Sequence, residues 1–367
     1  MSMDLLVATR KRNSLPIGFM PGRQDSGSDT PFFPTLLEVQ ARKIVANPAA
    51  VAAYAELVQA CAISPNGLQM VYSAVSNLSA TRLAHFSRFG QLWGRYPDPV
   101  QPTEVVNSAF FNGTGEFLIL LYGSAPWATI LYNTGTTFIE VPAMAGVFDR
   151  YVRHIDITVN DQGDCEMTVV GGNSQTGNTY IGGYMKRYRF DLSFAFITEL
   201  STPSELADQD WKTKAFYSLD GTMLTVLRDT NSYGPRRFYV YSRASDGTLT
   251  LQPNGLSEAT ADMAGSSSSQ LVCNTPRDEL VTFSNSSVRT MRVYRRNGSV
   301  YASHASANMP SIPLLQQYYG LTNLMAYAMN GNIIVAKIEN GQITPVSGLQ
   351  TSSLATQNTM AWFGEVT

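Results

Sequence analysis

Short runs of alternating apolar and polar residues, separated by turn-forming pairs, recur along most of this chain. The clearest example is residues 217–250, in which Asp220-Gly221 and Asp246-Gly247 bracket runs of β-branched and aromatic residues. Because glycine adopts positive φ without a Cβ penalty, an Asp-Gly pair between two such runs predicts a tight β-hairpin. Residues 217–250 therefore predict two successive hairpins.

The same double-hairpin unit is predicted five times, and a sixth copy covers residues 314–346. In each unit an apolar strand follows the first turn, a strand rich in aromatics and arginines comes next, and a second turn closes the unit. The last residues of the first turns are 46, 50, 58 and 57 residues apart, so the chain is a repeat protein. The first turns are predicted at Pro65-Asn66-Gly67, Asn112-Gly113, Asp161-Gln162-Gly163, Asp220-Gly221 and Pro276-Arg277-Asp278.

Four antiparallel strands repeated about every 45–55 residues are what a β-propeller blade requires. The predicted fold class is therefore all-β, a propeller of four-stranded antiparallel blades. Six blades can be counted and seven are favoured, with residues 4–9 and 353–363 forming the seventh, because closing the ring with both termini pairs otherwise open edge strands. We assign residues 1–20 to a strand segment that closes the ring, 21–57 to a linker and short helical insertion, and 58–367 to the propeller.

Charged residues make up 15% of the chain, below the roughly 25% of a typical soluble domain. The formal net charge of −2 gives no overall attraction to nucleic acid or to an anionic membrane. Arginine greatly outnumbers lysine, which occurs only at positions 11, 43, 186, 212, 214 and 337. Since arginine is enriched at protein interfaces, the ratio favours an assembly component, although codon usage could produce the same ratio.

Cys61, Cys165 and Cys273 are far apart and odd in number, which favours buried thiols in a reducing compartment over a disulfide framework. The N-terminal residues contain no apolar segment followed by a small-residue cleavage site, so no signal peptide is expected. The longest apolar run, residues 117–122, is too short to span a bilayer. We therefore expect a protein made in a cytoplasm, without a membrane span.

The titratable residues form no recognisable catalytic or metal-binding pattern. His85, His154 and His304 each stand alone in a different unit, without the paired spacing of a zinc site. Residues 160–164 have the composition of a calcium loop but not its spaced carboxylates, so a plain hairpin turn is expected. There is no Gly-x-Ser-x-Gly motif, although a Ser-His-Asp group can assemble from distant residues. The sequence predicts no catalytic residue, no metal and no cofactor.

Basic residues cluster on the predicted third strands, which lie toward the outer rim of a propeller. Alternation places Arg187 and Arg189 on one face of their strand and Tyr188 and Phe190 on the other. Such arginines can form a solvated rim, anchor a protein partner or contact DNA phosphates, but no continuous basic stripe favours DNA. The residues predicted to interact with a partner are Arg187, Arg189, Arg236, Arg237, Arg289, Arg292, Arg295 and Arg296.

Two turn sequences resemble those of a known family. Ile63-Ser-Pro-Asn-Gly67 and Tyr217-Ser-Leu-Asp-Gly221, each followed by an apolar strand, are similar to the Ser-Pro-Asp-Gly hairpin of WD40-like and YVTN-type propellers. The resemblance covers roughly residues 58–350 and implies the fold rather than a function. The Gly-His and Trp-Asp dipeptides of true WD40 repeats are missing, so the resemblance does not extend to eukaryotic-style scaffolding.

The composition, rich in Asn, Thr and Tyr and poor in Lys, also resembles that of tailed-bacteriophage virion proteins, some of which contain degenerate propellers. This resemblance implies a structural, non-enzymatic protein of the virion, made in the host cytoplasm and associated with the tail or neck as a nozzle, hub or attached component. Its partners would be other virion proteins and copies of itself, packed through the rim. DNA could pass through its channel without specific binding.

Two alternatives stay open. A propeller hydrolase of the lactonase type would need acidic residues converging on the central channel, and Asp156, Asp210 and Asp262 are the best placed by register. A glycan-binding propeller would use aromatic stacking surfaces, for which four tryptophans are available: Trp93, Trp127, Trp211 and Trp362.

Overall fold

The strands of this chain pair mostly with their neighbours in sequence. The computed structural model describes residues 57–345 apart from short gaps. The gaps are residues 66–68, 77–79, 90–91, 96–101, 103, 145–146, 149–150, 160–163, 173–174, 177–178, 181, 192, 194–196, 208–210, 230–236, 254, 256–269, 275–277, 286–288, 311–313, 316–323 and 330–331.

The described residues form six four-stranded antiparallel units, here called blades 1 to 6. Blade 1 contains β1 (Leu57–Ile63), β2 (Gln69–Ser76), β3 (Ala80–Phe89) and β4 (Leu92–Arg95), and blade 2 contains β5 (Val106–Phe111), β6 (Phe117–Tyr122), β7 (Ala128–Asn133) and β8 (Phe138–Glu140). Blade 3 contains β9 (Val152–Val159), β10 (Cys165–Gly172), a short ribbon of β11 (Gln175–Thr176) and β12 (Thr179–Tyr180), then β13 (Gly183–Phe190) and β14 (Ile197–Leu200).

Blades 4 to 6 repeat this plan. Blade 4 contains β15 (Trp211–Tyr217), β16 (Met223–Asp229), β17 (Arg237–Arg243) and β18 (Leu249–Leu251), and blade 5 contains β19 (Gln270–Asn274), β20 (Glu279–Asn285), β21 (Arg289–Asn297) and β22 (Val300–Asn308). Blade 6 contains β23 (Leu314–Leu315), β24 (Leu324–Met329), β25 (Asn332–Glu339) and β26 (Gln342–Pro345). Short 3₁₀ turns lie at Pro142–Met144 and Ser204–Leu206.

Within every blade the four strands of the sheet lie side by side in chain order, and the β11–β12 ribbon of blade 3 is paired only within itself. The first strands of neighbouring blades also contact each other, β1 with β5 and β9 with β15, so the first strands line the centre of the assembly. This arrangement is a β-propeller, and it confirms the predicted all-β fold class of four-stranded blades. The predicted seventh blade and the N-terminal helical insertion lie outside the described residues.

Continuous apolar runs, such as β6 (Phe117–Tyr122), form the second strand of a blade. All six residues of β6 are buried, with side chains alternating between a core cluster shared with blade 3 and another shared with blade 1. A blade packs against a neighbour on both faces, which is why its second strand is apolar throughout rather than at every other position. Burying each large side chain contributes about 1.5–3 kcal/mol.

The first turn has the same hydrogen bonds in blades 1, 2 and 4. A Ser or Asn begins the turn, and its backbone N–H donates to the carbonyl of the residue five positions later. Its side-chain oxygen accepts from the N–H of that later residue, at 2.9 Å in each blade. The residues paired in this way are Ser64 with Gln69, Asn112 with Phe117, and Ser218 with Met223.

This pattern identifies the equivalent turn glycine in blade 2 as Gly115, two residues beyond the predicted Gly113. Gly115 and Gly221 each stand three residues after the Ser or Asn, with φ of +77° and +66°. Counted through Gly115, the sequence spacings from Gly67 and to Gly163 are both 48 residues. The repeat is therefore more regular than the predicted spacings of 46 and 50 residues indicated.

The first strands share a second irregularity. In blades 1 to 4 one residue of the first strand is left out of register with the second strand, as in a β-bulge. A bulge turns a side chain away from the regular alternation. The extra residues are Gln59, Asn107, Arg153 and Thr213.

Candidate functional site

A buried carboxylate lies at the junction of blades 3 and 4. Glu166 on β10 is 1% exposed, and its Oε1 accepts hydrogen bonds from Arg187 on β13 and, at 2.9 Å, from the Tyr217 hydroxyl on β15. Its Oε2 accepts from Arg243 Nε on β17 at 2.8 Å and lies 3.8 Å from Arg189 Nη2. One carboxylate therefore holds three arginines and a tyrosine from two blades. We call these five residues the Glu166 cluster.

The second turn of blade 4 closes this cluster. Arg187 donates to the carbonyl of Gly247 in that turn and, at 2.9 Å, to the carbonyl of Ser201 in its own blade. Gly247 has a φ of +89°, and a Cβ at this position would lie 2.8 Å from Arg189 Nη2 and 2.9 Å from Glu166 Oε2. The glycine of the Asp-Gly pair is thus needed both for the turn and for its close approach to blade 3.

The cluster is electrostatically matched. Burial raises the pKa of Glu166, but the hydrogen bonds and charges of Arg243 and Arg187 outweigh burial and hold this pKa below its ordinary value. Burial, followed by the charge of Glu166, raises the pKa of Tyr217 far above its ordinary value. Glu166 is therefore ionised and Tyr217 is a protonated donor, so the cluster holds the two blades together.

Equivalent positions link other blades. One residue follows directly after the part of the third strand that pairs with the second strand. It is Asn133 in blade 2, Arg243 in blade 4 and Arg296 in blade 5. In each case its N–H donates to a carbonyl of the first turn of its own blade, and its side chain reaches the preceding blade. The acceptors in the preceding blades are Gln69, Glu166 and Asp220 respectively.

The blade 4–blade 5 link is more open to solvent. Arg296 Nη1 donates to Asp220 at 2.6 Å and to Asp278 at 3.3 Å, while Nη2 donates to Thr222 at 2.8 Å. Asp278 also accepts from the N–H of Leu219 at 2.7 Å. Burial raises the pKa of Asp220, but hydrogen bonds led by the one from Arg296 outweigh burial and hold it well below its ordinary value. The Arg296 link is therefore ionic.

Two of the arginines predicted to bind a partner are engaged inside the propeller. Arg187 is 1% exposed in the Glu166 cluster, and the Arg296 side chain is 18% exposed in its link to blade 4. Both belong to blade junctions. Arg236 lies outside the described residues, and only the backbone of Arg237 lies within them.

The other predicted arginines reach the surface. The side chains of Arg189 and Arg295 are 29% and 41% exposed, and Arg295 Nε donates to the buried Glu279 at 2.8 Å. Arg289 is exposed and donates to the carbonyl of Pro310 at 2.8 Å. Arg292 is half-buried.

Asp156, the best-placed acid for a hydrolase, lies in a blade junction. It is 4% exposed, and its carboxylate accepts from the N–H groups of Tyr217 at 2.7 Å and Ile157 at 3.0 Å. Burial raises its pKa to about 7 despite these hydrogen bonds. Asp210 and Asp262 lie outside the described residues.

The inner strands of blades 3 and 4 carry a second group of polar residues. His154 is 3% exposed, stacks on Phe110 at 4.7 Å and meets the edge of Phe216 at 4.6 Å. Burial, with the charge of Lys214, lowers the pKa of His154 well below its ordinary value, so the ring is neutral. Arg153 lies beside it in sequence, 5.4 Å from the ring of Tyr151.

Of the predicted stacking tryptophans, Trp127 is the one whose side chain the structure describes. It has a φ of +69°, is half-buried, and meets the ring of Tyr151 edge-on at 5.9 Å. For Trp93 and Trp211 only the backbone is described, and Trp362 lies outside the described residues. Among the described residues, no group of three or more His, Cys, Asp or Glu side chains is placed to hold a metal ion. No helix in this part of the chain is long and apolar enough to cross a membrane.

Sequence reasoning missed Glu166, Asn133 and Lys214. Glu166 sits in a strand with apolar neighbours, which was the available signal, because a lone acid in an apolar strand needs a buried cation. The side chains that contact Glu166 are 21 to 77 positions away in the sequence, so no local pattern identifies them.

Comparison with known proteins supports the architecture. No protein-family model matches the chain, and no curated protein sequence matches it. Among solved structures, the periplasmic gluconolactonase PpgL of Pseudomonas aeruginosa is 9% identical, with a TM-score of 0.51 over 84% of this chain and 88% of that one. A functionally unknown protein from Desulfotomaculum acetoxidans is 12% identical, with a TM-score of 0.50 over 83% and 90%. At such identities the likeness shows the fold alone.

Proposed function

We propose that this protein is a structural, non-enzymatic component of a tailed-bacteriophage particle, associated with the tail or neck. It acts as a rigid disc that packs through its rim against other virion proteins and copies of itself. The composition of the chain motivates the virion assignment, and the placement of the surface arginines supports the rim as the contact surface.

The observation that carries the rim contact is that exposed arginines on the third strands are already held by the propeller. Arg295 is fixed by Glu279, Arg289 by the carbonyl of Pro310, and Arg189 by the carbonyl of Ser245 at 3.3 Å. An arginine held in one geometry loses little side-chain entropy when a partner binds. Anchored arginines are therefore suited to act as interface residues.

The second candidate, a lactonase-type hydrolase, is favoured by the shared fold of PpgL alone. Asp156 speaks against it, because this carboxylate is buried and already accepts two backbone hydrogen bonds. A catalytic acid or base must reach the substrate within hydrogen-bond distance. The structural proposal therefore accounts for this residue better.

The test is peptide mass spectrometry on density-purified virus particles from a lysate of the source organism. Stoichiometric presence in the particles is expected, and the copy number separates a tail or neck ring from a shell component. Absence from purified particles would overturn the proposal and direct work to substrate and glycan screens.

The rim contact needs its own test. Replacing the exposed Arg289 by Glu is expected to reduce incorporation into particles at least tenfold while leaving the protein folded. Lys337→Glu is the matched control, since Lys337 is a 38% exposed cation on blade 6 that pairs with Glu339. Equal incorporation of both variants would refute the rim assignment.

A further inference from the structure

The connection between the second and third strands is longest in blade 3. It covers residues 173–182, and the equivalent connections of the other blades are shorter, at 77–79, 123–127, 230–236, 286–288 and 330–331. Residues 173–182 contain β11 and β12, which pair with each other and, among the strands that the structure describes, with no other strand. We call β11 and β12 the blade 3 ribbon.

The blade 3 ribbon continues the hairpin of β10 and β13. Gly172 pairs with Gly183 at the end of the blade, and Gln175 pairs with Tyr180 in the ribbon, so the register of the blade is kept. At about 3.3 Å per residue, the four residues after Gly172 can carry the ribbon at most about 13 Å beyond the blade. The ribbon therefore extends from the end of blade 3 that lies opposite the Glu166 cluster.

The base of the ribbon is fixed by the blade. The carbonyl of Tyr151 accepts from the N–H of Gly172 at 3.2 Å and from the Tyr184 hydroxyl at 3.4 Å. A Cβ at Gly171 would lie 2.2 Å from this carbonyl oxygen, so a side chain does not fit there. Gly182, with a φ of +74°, supplies a left-handed residue between β12 and β13.

The outer edge of β12 is not covered by β14. This strand, the outer neighbour of β13, pairs with it only from Arg187 to Phe190, at the other end of β13. An open edge presents backbone N–H and C=O groups that can pair with another chain. A two-stranded ribbon alone is also marginally stable in water, so the blade 3 ribbon is suited to gain a further strand.

The ribbon lacks the usual protection of an open edge. Natural edge strands are commonly protected by charged residues, especially lysine, or by proline. The outer strands β4, β8 and β14 contain Arg95, Glu140 and Glu199 respectively. From Met167 to Met185, by contrast, the sequence contains no charged residue and no proline. A strand that adds to the ribbon therefore meets no charge and no missing backbone donor.

We propose that β12 pairs in antiparallel orientation with β12 of a second copy of this chain, which joins two propellers into a dimer. Pairing about a two-fold axis places the residues of one short strand opposite those of its copy, so a charge on β12 would face a like charge. The uncharged sequence Asn178-Thr-Tyr-Ile181 avoids this repulsion and contains β-branched and aromatic residues, which favour cross-strand pairs. The contact is separate from the rim and does not depend on the proposed function.

The experiment measures the molar mass of the purified full-length protein by size-exclusion chromatography with light scattering over a range of concentrations. Wild type is compared with Thr179→Lys, and Thr250→Lys is the matched control, because Thr250 is an exposed threonine on β18, the outer strand of blade 4. Wild type and the control should form the dimer equally well. Thr179→Lys should weaken dimerisation at least tenfold, because two lysines then meet near the axis. A wild type that stays monomeric, or undiminished dimerisation of Thr179→Lys, would overturn the proposal.

A charge exchange tests whether the ribbon pairs with itself. Thr179→Glu alone should also be monomeric, whereas an equimolar mixture of Thr179→Glu and Thr179→Lys should form a mixed dimer, because opposite charges then meet across the pair. If the mixture stays monomeric, the ribbon meets some other surface and self-pairing is refuted. The same comparison in the Arg289→Glu background separates this contact from association through the rim.

A second readout locates the contact within the chain. Backbone amides of residues 179–184 should exchange hydrogen more slowly as the concentration of wild type is raised, and this slowing should be absent in Thr179→Lys. Concentration-dependent protection at other blades, without a change at these amides, would place the dimer contact elsewhere and contradict the proposal.

Discussion

At the scale of single residues, Glu166 contacts more charged side chains than any other group whose contacts the structure describes. Replacing it by Gln keeps its size but leaves Arg187 and Arg243 without a counter-charge in a buried junction. Breaking a buried ion pair from one side costs about 3–5 kcal/mol. We expect Glu166→Gln to lower the free energy of unfolding by this amount, measured by denaturant unfolding at pH 7.

Glu199→Gln is the matched control, because Glu199 is an exposed acid on β14 of the same blade. Its effect should stay within about 0.5 kcal/mol, as is usual for surface substitutions. Equal effects of the two substitutions would contradict the assigned role of Glu166.

His154 gives a prediction about pH. The unfolded histidine takes up a proton near pH 6.5, whereas burial keeps the folded ring neutral to much lower pH. Unfolding therefore takes up a proton, and stability is lost as pH falls below about 6.5. His154→Phe keeps an aromatic ring between Phe110 and Phe216 and removes this loss, which amounts to about 2 kcal/mol between pH 8 and pH 5.

The measurement is denaturant unfolding of both proteins at pH 8 and pH 5. At pH 8 the variant should be less stable by about 1 kcal/mol, because the hydrogen bond to Ala215 is lost. At pH 5 the difference should shrink or reverse. A constant difference between His154→Phe and wild type across pH would refute the argument.

Residue-scale features were the least predictable from the sequence. Alternation did place Arg187 and Arg189 on one face, and both contact the second turn of blade 4. Alternation could not tell which surface this face contacts. The face contacts blade 4 at a blade junction, where Arg187 donates to the carbonyl of Gly247, 60 residues away. The register of the first strand predicted that Asp156 would face the central channel. Asp156 does lie on the first strand of blade 3, but its carboxylate accepts a hydrogen bond from the backbone N–H of Tyr217 in blade 4.

At the scale of elements, the first turn of blade 4 combines a backbone requirement with a contact to blade 3. Gly221 has a φ of +66°, and a Cβ there would clash with Thr158 Oγ1 on β9. Gly298 has a similar φ of +62°, but a Cβ at that position would meet nothing within 4 Å. The two glycines therefore separate the cost of the left-handed backbone from the cost of the contact.

We expect Gly298→Ala to lower the free energy of unfolding by about 1–2 kcal/mol, the cost of the left-handed conformation. Gly221→Ala should cost about 1–3 kcal/mol more, because overpacking against Thr158 is added. Chemical denaturation of both variants measures the difference. Equal losses of stability in the two variants would show that the first turn of blade 4 is not tightly packed against blade 3.

Elements were largely predictable because their signals are local. Asp-Gly pairs and apolar alternation gave the hairpins, since turn geometry and strand pleat depend on adjacent residues. Blade 2 shows the limit: Asn112-Gly113 looks like a turn pair, yet the positive φ falls on Gly115. The bulges at Asn107 and Arg153 had no signal in the sequence, because neither position carries the glycine that can mark a bulge within a strand.

At the scale of the whole molecule, the blades are joined by a series of unlike links. Asn133 reaches blade 1 through an amide, Arg243 reaches blade 3 through a buried ion pair, and Arg296 reaches blade 4 through a half-exposed one. Blades 5 and 6 also share a parallel pair between Ser306 and Gln342, which extends their sheets into one of eight strands. Periodicity predicted the blades, but it could not predict these links, because the linking residue is an asparagine in one blade and an arginine in two, and its acceptor differs each time.

In a propeller with such links, a substitution that destabilises one blade should also destabilise the adjacent blades, since each blade packs against its neighbours. Hydrogen-exchange mass spectrometry of Glu166→Gln under native conditions is expected to show faster exchange in β13 of blade 3 and in β15 and β17 of blade 4. Blade 1, which contacts neither half of the Glu166 cluster, should change least.

Arg296→Gln should shift the effect to blades 4 and 5 and should be weaker, because its link is more exposed and is screened by solvent. Faster exchange spread evenly over all blades in both variants would mean that the links do not act locally and that the propeller opens as a single unit.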